Sequence, residues 1–208
     1  MAKNKIFGLY QKLMKKYGHP KGQWILWCKR PKANKEREEV VIGAILTQRA
    51  NWRNAELAMA NLRKEKINSL KDIYRQGLKN KNKLAILIKP SGFYQQKADY
   101  LFGLAKFILE NYGNLEKFKK TDLVKSRENL LNLKGIGPET ADSILLYALK
   151  KPVFVIDEYT RRFAKKYRLT NNYDYHFLQK LFEKNIKKDF RLYQDFHALI
   201  VIDGKNNK

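Results

Sequence analysis

Apolar residues recur at helical spacing along nearly the whole chain. Val40, Val41, Ala44 and Ile45 make one apolar face. Ala55, Leu57, Ala58 and Leu62 make another, opened by Asn51 or Asn54 as a cap. Leu70, Ile73, Tyr74 and Leu78 follow, and Leu84, Leu87 and Ile88 run up to Pro90, where Ser91-Gly92 predicts a turn. Residues 95–112 read as a long helix stopped by Gly113. Residues 123–133 form the next, followed by a Gly-rich turn and a helix from Pro138 to about Leu149. Residues 158–167, 174–186 and 190–202 are helical by the same pattern, and the first 18 residues form an amphipathic helix with Ile6, Leu9, Tyr10 and Leu13 on one face. Val153–Ile156 is the one strand-like run and is too short to found a sheet. Residues 28–38, CKRPKANKERE, carry no apolar period and read as a mobile loop. The chain is therefore expected to be all-α.

Composition narrows the partners. A length of 208 residues suits one core or two small lobes. With 44 Lys and Arg against 20 Asp and Glu, the net charge is +24, more than solubility requires. Such a surface attracts polyanions, with DNA, RNA and anionic membranes as candidates. A Lys-rich or heat-adapted composition is the plainer explanation, but heat-adapted ion networks need both signs of charge. No run of 18 apolar residues occurs, and the start lacks a signal core, so a cytoplasmic location is expected. Cys28 is the single cysteine, and His19, His176 and His197 show no metal-ligand spacing, so no metal site is expected.

Residues 130–149, LLNLKGIGPETADSILLYAL, carry the most information. An apolar helix leads into Gly135-Ile136-Gly137, with Pro138 at a first helical position. Glycines permit positive φ and close backbone approach, and Ile136 between them can plug into the core. The next helix starts with free N–H groups, an anion site that contacts phosphate without reading bases. Gly-x-Gly alone also suits an ordinary corner with a glycine C-cap. The flanking leucines, Thr140-Ala141 and the basic charge favour the phosphate clamp. Downstream, Asp157 ends the apolar run VFVI and precedes a helix, where an N-cap is the simplest role.

Residues 130–163 resemble the helix-hairpin-helix–Gly/Pro–Asp superfamily of DNA glycosylases. The resemblance extends to GAILTQRANW (43–52), KPSGFYQQKADYL (89–101) and FHALIVIDGK (196–205). It implies two helical lobes with a DNA-binding cleft between them and a helix-hairpin-helix motif at residues 124–149. One lobe would span residues 40–150. The other would join residues 1–39 to 151–208.

The resemblance also implies roles. Asp157 corresponds to the catalytic carboxylate, which stabilises the positive charge that builds on the sugar when an N-glycosidic bond breaks. Strand-cutting members carry a Schiff-base lysine where this chain has Glu139, so a monofunctional enzyme without lyase activity is expected. Many members hold an iron–sulfur cluster on four C-terminal cysteines. This chain reaches Asn206-Asn207-Lys208 where that loop would begin, so no cluster and no required cofactor are expected. It resembles the cluster-free branch that includes bacterial 3-methyladenine glycosylases. In that branch aromatic residues hold the flipped base, and Trp24 and Trp27 stand near that place, with core packing as the alternative. The Trp-Trp-Pro run of the branch is absent, and Leu199 stands where a lysine can sit. Gln48 corresponds to a wedge that fills the gap left by the flipped base. Gly135, Ile136, Gly137, Thr140, Lys134, Arg161 and Arg162 are expected DNA contacts, and the hairpin carbonyls can hold a monovalent cation. The expected partner is double-stranded DNA with a damaged base, bound by a monomer away from membranes. An alkylated purine is the expected target, since it is a cationic leaving group attracted to indole. Mismatched or oxidised pyrimidines are the alternative, as is a non-catalytic protein that recognises DNA structure.

Overall fold

A computed structural model describes residues 2–206; Met1, Asn207 and Lys208, and with them the end of the chain, lie outside the described residues. In chain order the helices are α1 (Ala2–Tyr17), α2 (Trp24–Cys28), α3 (Asn34–Leu46), α4 (Trp52–Lys64), α5 (Leu70–Leu87), α6 (Tyr94–Tyr112), α7 (Leu115–Lys120), α8 (Leu123–Leu131), α9 (Pro138–Ser143), α10 (Glu158–Lys166), α11 (Tyr175–Asn185) and α12 (Phe190–Asn206). A 3-10 turn at Lys89–Ser91 precedes α6, and a wider π turn, Ile144–Ala148, continues from α9. Among the described residues there is no strand. Val153–Ile156 is extended and buried, and side chains of α11 satisfy its backbone: Glu183 accepts from the Phe154 N–H and Gln179 donates to the Phe154 carbonyl.

The chain divides into two units, Pro31–Ile144, and Met1–Arg30 with Leu145–Lys208. The divisions fall at 30/31 and 144/145, against 39/40 and 150/151 in the sequence reading.

In the unit Pro31–Ile144, α3 is the central helix. Its residues from Val40 to Leu46 are buried on every side, because α4, α6, α7 and α9 all pack against it. A helix with neighbours all round has no polar face to show. The Lys97 ammonium is buried within this unit and donates to the carbonyls of Leu46 (2.9 Å) and Ser91 (2.7 Å). It thereby closes the C-terminal end of α3 and ties it to the 3-10 turn.

Two local expectations are corrected and one open choice is resolved. Residues 28–38 are not a mobile loop. Asn34 begins α3, Glu36 accepts from the Ala33 N–H at 2.8 Å, and Lys32 and Arg37 are buried. Arg37 reaches the Lys32 carbonyl (2.9 Å) and pairs with Glu116 on α7, a partner 79 positions away that no local pattern reveals. Leu57 and Leu78 point outward, 49% and 64% exposed, and Met59 takes the buried place on α4. The asparagine capping α4 is Asn51, which accepts from the Asn54 N–H at 2.8 Å.

In the unit Met1–Arg30 with Leu145–Lys208, α12 is central, buried along Tyr193–Val201 and packed by α1, α2 and α10. Phe154, Phe163, Phe182 and Phe196 form its aromatic core, with the Phe154 and Phe182 rings stacked at 4.6 Å. Ile6 and Leu13 of α1 enter the core as expected. Asp203 on α12 anchors α1 by accepting from Tyr17 (2.8 Å) and Lys16 (3.2 Å), and it also takes Lys166 of α10 (3.3 Å).

Candidate active site

The helix-hairpin-helix consists of α8, a turn over residues 132–137 and α9. The Ile136 N–H closes the turn onto the Leu133 carbonyl at 3.1 Å, and the Ile136 side chain is buried. Gly135 has φ +79°, and a Cβ there would lie 2.4 Å from ring carbons of Tyr100. Both facts restrict this position to glycine. Gly137 differs from expectation: its φ of −88° suits any residue, and a Cβ there meets nothing within 4 Å. As N-cap of α9 it offers no side chain to the start of the helix.

Gln48 lies two residues beyond α3 and reaches this hairpin. Its Nε2 donates to the Gly135 carbonyl (2.9 Å) and to Thr140 Oγ1 (3.0 Å). The structure thus joins three residues that the sequence reading assigned separately to wedge and clamp. Thr140 is buried with its hydroxyl turned inward, and the Ile136 side chain is likewise inside, so neither side chain is presented to a ligand. Lys134 and Glu139 are exposed. Of the hairpin carbonyls, those of Leu133 and Gly135 each accept one hydrogen bond, from Ile136 and Gln48.

Phe93 escaped the sequence reading. It is 58% exposed, at the N-cap of α6, and both it and Gly92 have positive φ (46° and 69°). A bulky side chain in the left-handed region costs about 1–3 kcal/mol, and here the ring is also left in water. The signal was present in Gly-Phe-Tyr beside Pro90-Ser91, an aromatic inside a turn.

In the other unit, Asp157 caps α10. Its Oδ1 accepts from the Thr160 N–H (2.7 Å) and from Thr160 Oγ1 (2.9 Å). Its Oδ2 lies 3.4 Å from Nε2 of His197 on α12, and the side chain keeps 15% exposure. Burial alone would raise the carboxyl, but the facing His197 and the two Thr160 donors outweigh it and hold Asp157 below the ordinary 3.8. Asp157 is therefore a carboxylate, fixed at one oxygen and reachable at an edge.

Trp24 and Trp27, both buried on α2, stand in the same unit. Trp24 lies 5.8 Å from the His197 ring and 5.6 Å from Tyr147, and Trp27 lies 5.2 Å from Tyr147. The two indoles meet edge to face, 6.0 Å apart at 80°, so they leave no parallel slot between them and act as one aromatic wall. Tyr147, on the π turn, donates or accepts at His197 Nδ1 (2.7 Å) and lies 3.2 Å from the Gln194 carbonyl. His197 and Tyr147 carry no local signature, since 40 and 10 residues separate them from Asp157. Arg161 and Arg162 lie on α10. Arg161 stands over the Tyr175 ring at 5.9 Å, and Arg162 stands over Tyr159 at 4.6 Å and pairs with Glu158 at 3.5 Å.

Residues 42–188 match the family model described as HhH-GPD superfamily base excision DNA repair protein. A protein of Methanocaldococcus jannaschii named as a candidate DNA repair glycosylase is 42% identical over 207 residues, covering 97% of this chain and 89% of that protein. The H. pylori 3-methyladenine DNA glycosylase, solved bound to 1,N6-ethenoadenine, superposes with a TM-score of 0.80 and 33% identity, covering 100% of this chain and 98% of that one. A trapped endonuclease III–DNA intermediate shares the fold at 18% identity, with a TM-score of 0.75 over 99% of this chain and 87% of its own.

Proposed function

The chain belongs to the HhH-GPD superfamily of base excision DNA repair proteins, and on that premise we propose that it is a monofunctional DNA glycosylase that removes alkylated purines from duplex DNA. The observation that carries the reading is Asp157: an ionised carboxylate, held by Thr160 at one oxygen and part-exposed at the other, in the unit that also holds the buried indoles of Trp24 and Trp27.

The chemistry runs as follows. Exposed Lys134 and the backbone at the Gly137 end of α9 grip phosphate of the damaged strand. Phe93 protrudes as an apolar wedge and helps to separate the target base from its neighbours. The flipped base stacks at the Trp24–Trp27 pair, whose indoles are buried in the free protein and must be uncovered to receive it; a ring methylated at nitrogen gains there from its positive charge. The C1′–N bond then breaks and its electron pair leaves with the base, neutralising it. Asp157 stabilises the oxocarbenium sugar. Water adds at C1′ and passes its proton through the carboxylate to solvent, leaving an abasic site.

Two features support the narrower choices. Glu139 stands at the position that resemblance assigns to the lyase lysine, and a carboxylate forms no imine. The H. pylori relative is named for 3-methyladenine and was solved bound to 1,N6-ethenoadenine. The test is base release from duplexes each bearing one lesion: a stable 3-methyladenine analogue, 7-methylguanine, hypoxanthine, uracil, thymine opposite guanine, or thymine glycol. Release of an alkylated purine, with strand breakage only after alkali, is expected. Preferential release of a pyrimidine, or breakage without alkali, contradicts the proposal.

A further inference from the structure

The two oxygens of Asp157 are held differently. Oδ1 is committed to the helix cap through Thr160. Oδ2 faces Nε2 of His197 at 3.4 Å, too long for a closed hydrogen bond, and Nε2 is buried with no other hydrogen-bond partner among the described residues. A carboxylate only accepts, so the nitrogen turned toward it carries the hydrogen. The far side of the ring is fixed as well, with Nδ1 2.7 Å from the Tyr147 hydroxyl. A histidine that merely fills a core satisfies both nitrogens. This one is anchored at Nδ1 and left short of a partner at Nε2, aimed at a part-exposed carboxylate.

We infer that His197, oriented by Tyr147, is the positioning residue of Asp157: it steers Oδ2 away from the helix cap and fixes it as the working oxygen for the reacting nucleotide. The inference rests on the base-excision reading of Asp157. His197 acts through the carboxylate and exchanges no atoms in the reaction. The C1′–N bond electrons still leave with the base, and the proton of the added water still goes to Oδ2 and on to solvent. The other titratable groups around the trio are Cys28 from α2 and Asp195 from α12, the latter held by Arg30 at 2.9 Å. Burial keeps the Tyr147 phenol protonated well above its ordinary range, so it remains a fixed hydroxyl at working pH.

The experiment measures single-turnover base release from duplex DNA methylated with dimethyl sulfate, as a function of pH, for wild type, His197→Ala, His197→Gln and Tyr147→Phe. Duplex affinity and thermal melting are measured alongside. His197→Ala is expected to slow release about ten- to hundredfold with affinity unchanged, as misplacement of a reacting group does. His197→Gln keeps an N–H at similar reach and recovers most of that rate. Both replacements take away the imidazole whose interaction lowers the Asp157 pKa, so the acid limb of the profile moves to higher pH. Tyr147→Phe gives a smaller loss of the same kind and stands in should His197→Ala not fold. A folded variant set with the wild-type rate and acid limb overturns the inference while base excision stands. Wild type that releases no base overturns both.

Discussion

The side-chain amide of Gln48 donates to the Gly135 carbonyl at 2.9 Å and braces the hairpin from the end of α3. With its second bond to Thr140, this makes Gln48 a strut of the hairpin in the free protein. Entry into a DNA duplex, the role its sequence context implies, requires those two bonds to be given up. Gln48→Ala should therefore lower the melting temperature, by an amount corresponding to about 1–2 kcal/mol, in addition to weakening base release. Loss of a wedge alone leaves melting unchanged, so calorimetry of the DNA-free protein separates the two roles.

The hairpin glycines should respond in opposite ways. Gly135→Ala forces a methyl group into the Tyr100 ring at a φ of +79°, and at least about 1–2 kcal/mol of stability is lost. Gly137→Ala meets nothing in the protein and should melt like wild type. On the proposed phosphate contact its methyl stands in the path of the strand, so duplex affinity should fall instead. Urea titration and fluorescence anisotropy on the same samples check both.

Phe93 offers a test with stability and function pulling apart. Replacing it by glycine relieves the left-handed backbone at φ +46° and removes a water-exposed ring, so the fold should gain up to about 1 kcal/mol. Base release from duplex should fall, while release from a lesion in single-stranded DNA, which needs no unstacking, should fall much less. Equal losses on both substrates would remove Phe93 from the flipping step.

Lys97 gives the pH dependence of stability. Burial pushes its ammonium down to about 8 from an ordinary 10.5. The unfolded chain then holds more protons than the folded one between those values, and stability contributed by this group rises with pH across the window. Wild type should gain on Lys97→Met as pH rises from about 8 to 10.5, and the difference should be flat below 8. Urea midpoints at spaced pH values measure it.

What the sequence disclosed follows the range of the interactions. The hairpin was legible because its needs are local: a glycine with positive φ, an apolar plug at Ile136 and a proline at the first helical turn. Asp157 was legible as the polar residue that ends an apolar run and begins a helix. Residues whose state depends on distant partners were not. Lys97 is buried because two carbonyls at the ends of other elements await it, and Arg37 because Glu116 meets it. Leu57 and Leu78 satisfy the helical period yet face water, since no neighbour covers those flanks. His197 and Tyr147 come to Asp157 from α12 and the π turn, and their spacing in the chain bears no trace of that meeting.

The most direct measurement is base release by Asp157→Asn on a duplex carrying a stable 3-methyladenine analogue, with affinity for the same duplex measured in parallel. Asparagine caps a helix about as well as aspartate, so fold and affinity should persist. It carries no charge to meet the oxocarbenium sugar, and the single-turnover rate should fall at least about a hundredfold. A folded Asp157→Asn protein that releases the base at the wild-type rate would contradict the assignment of Asp157 as the catalytic carboxylate.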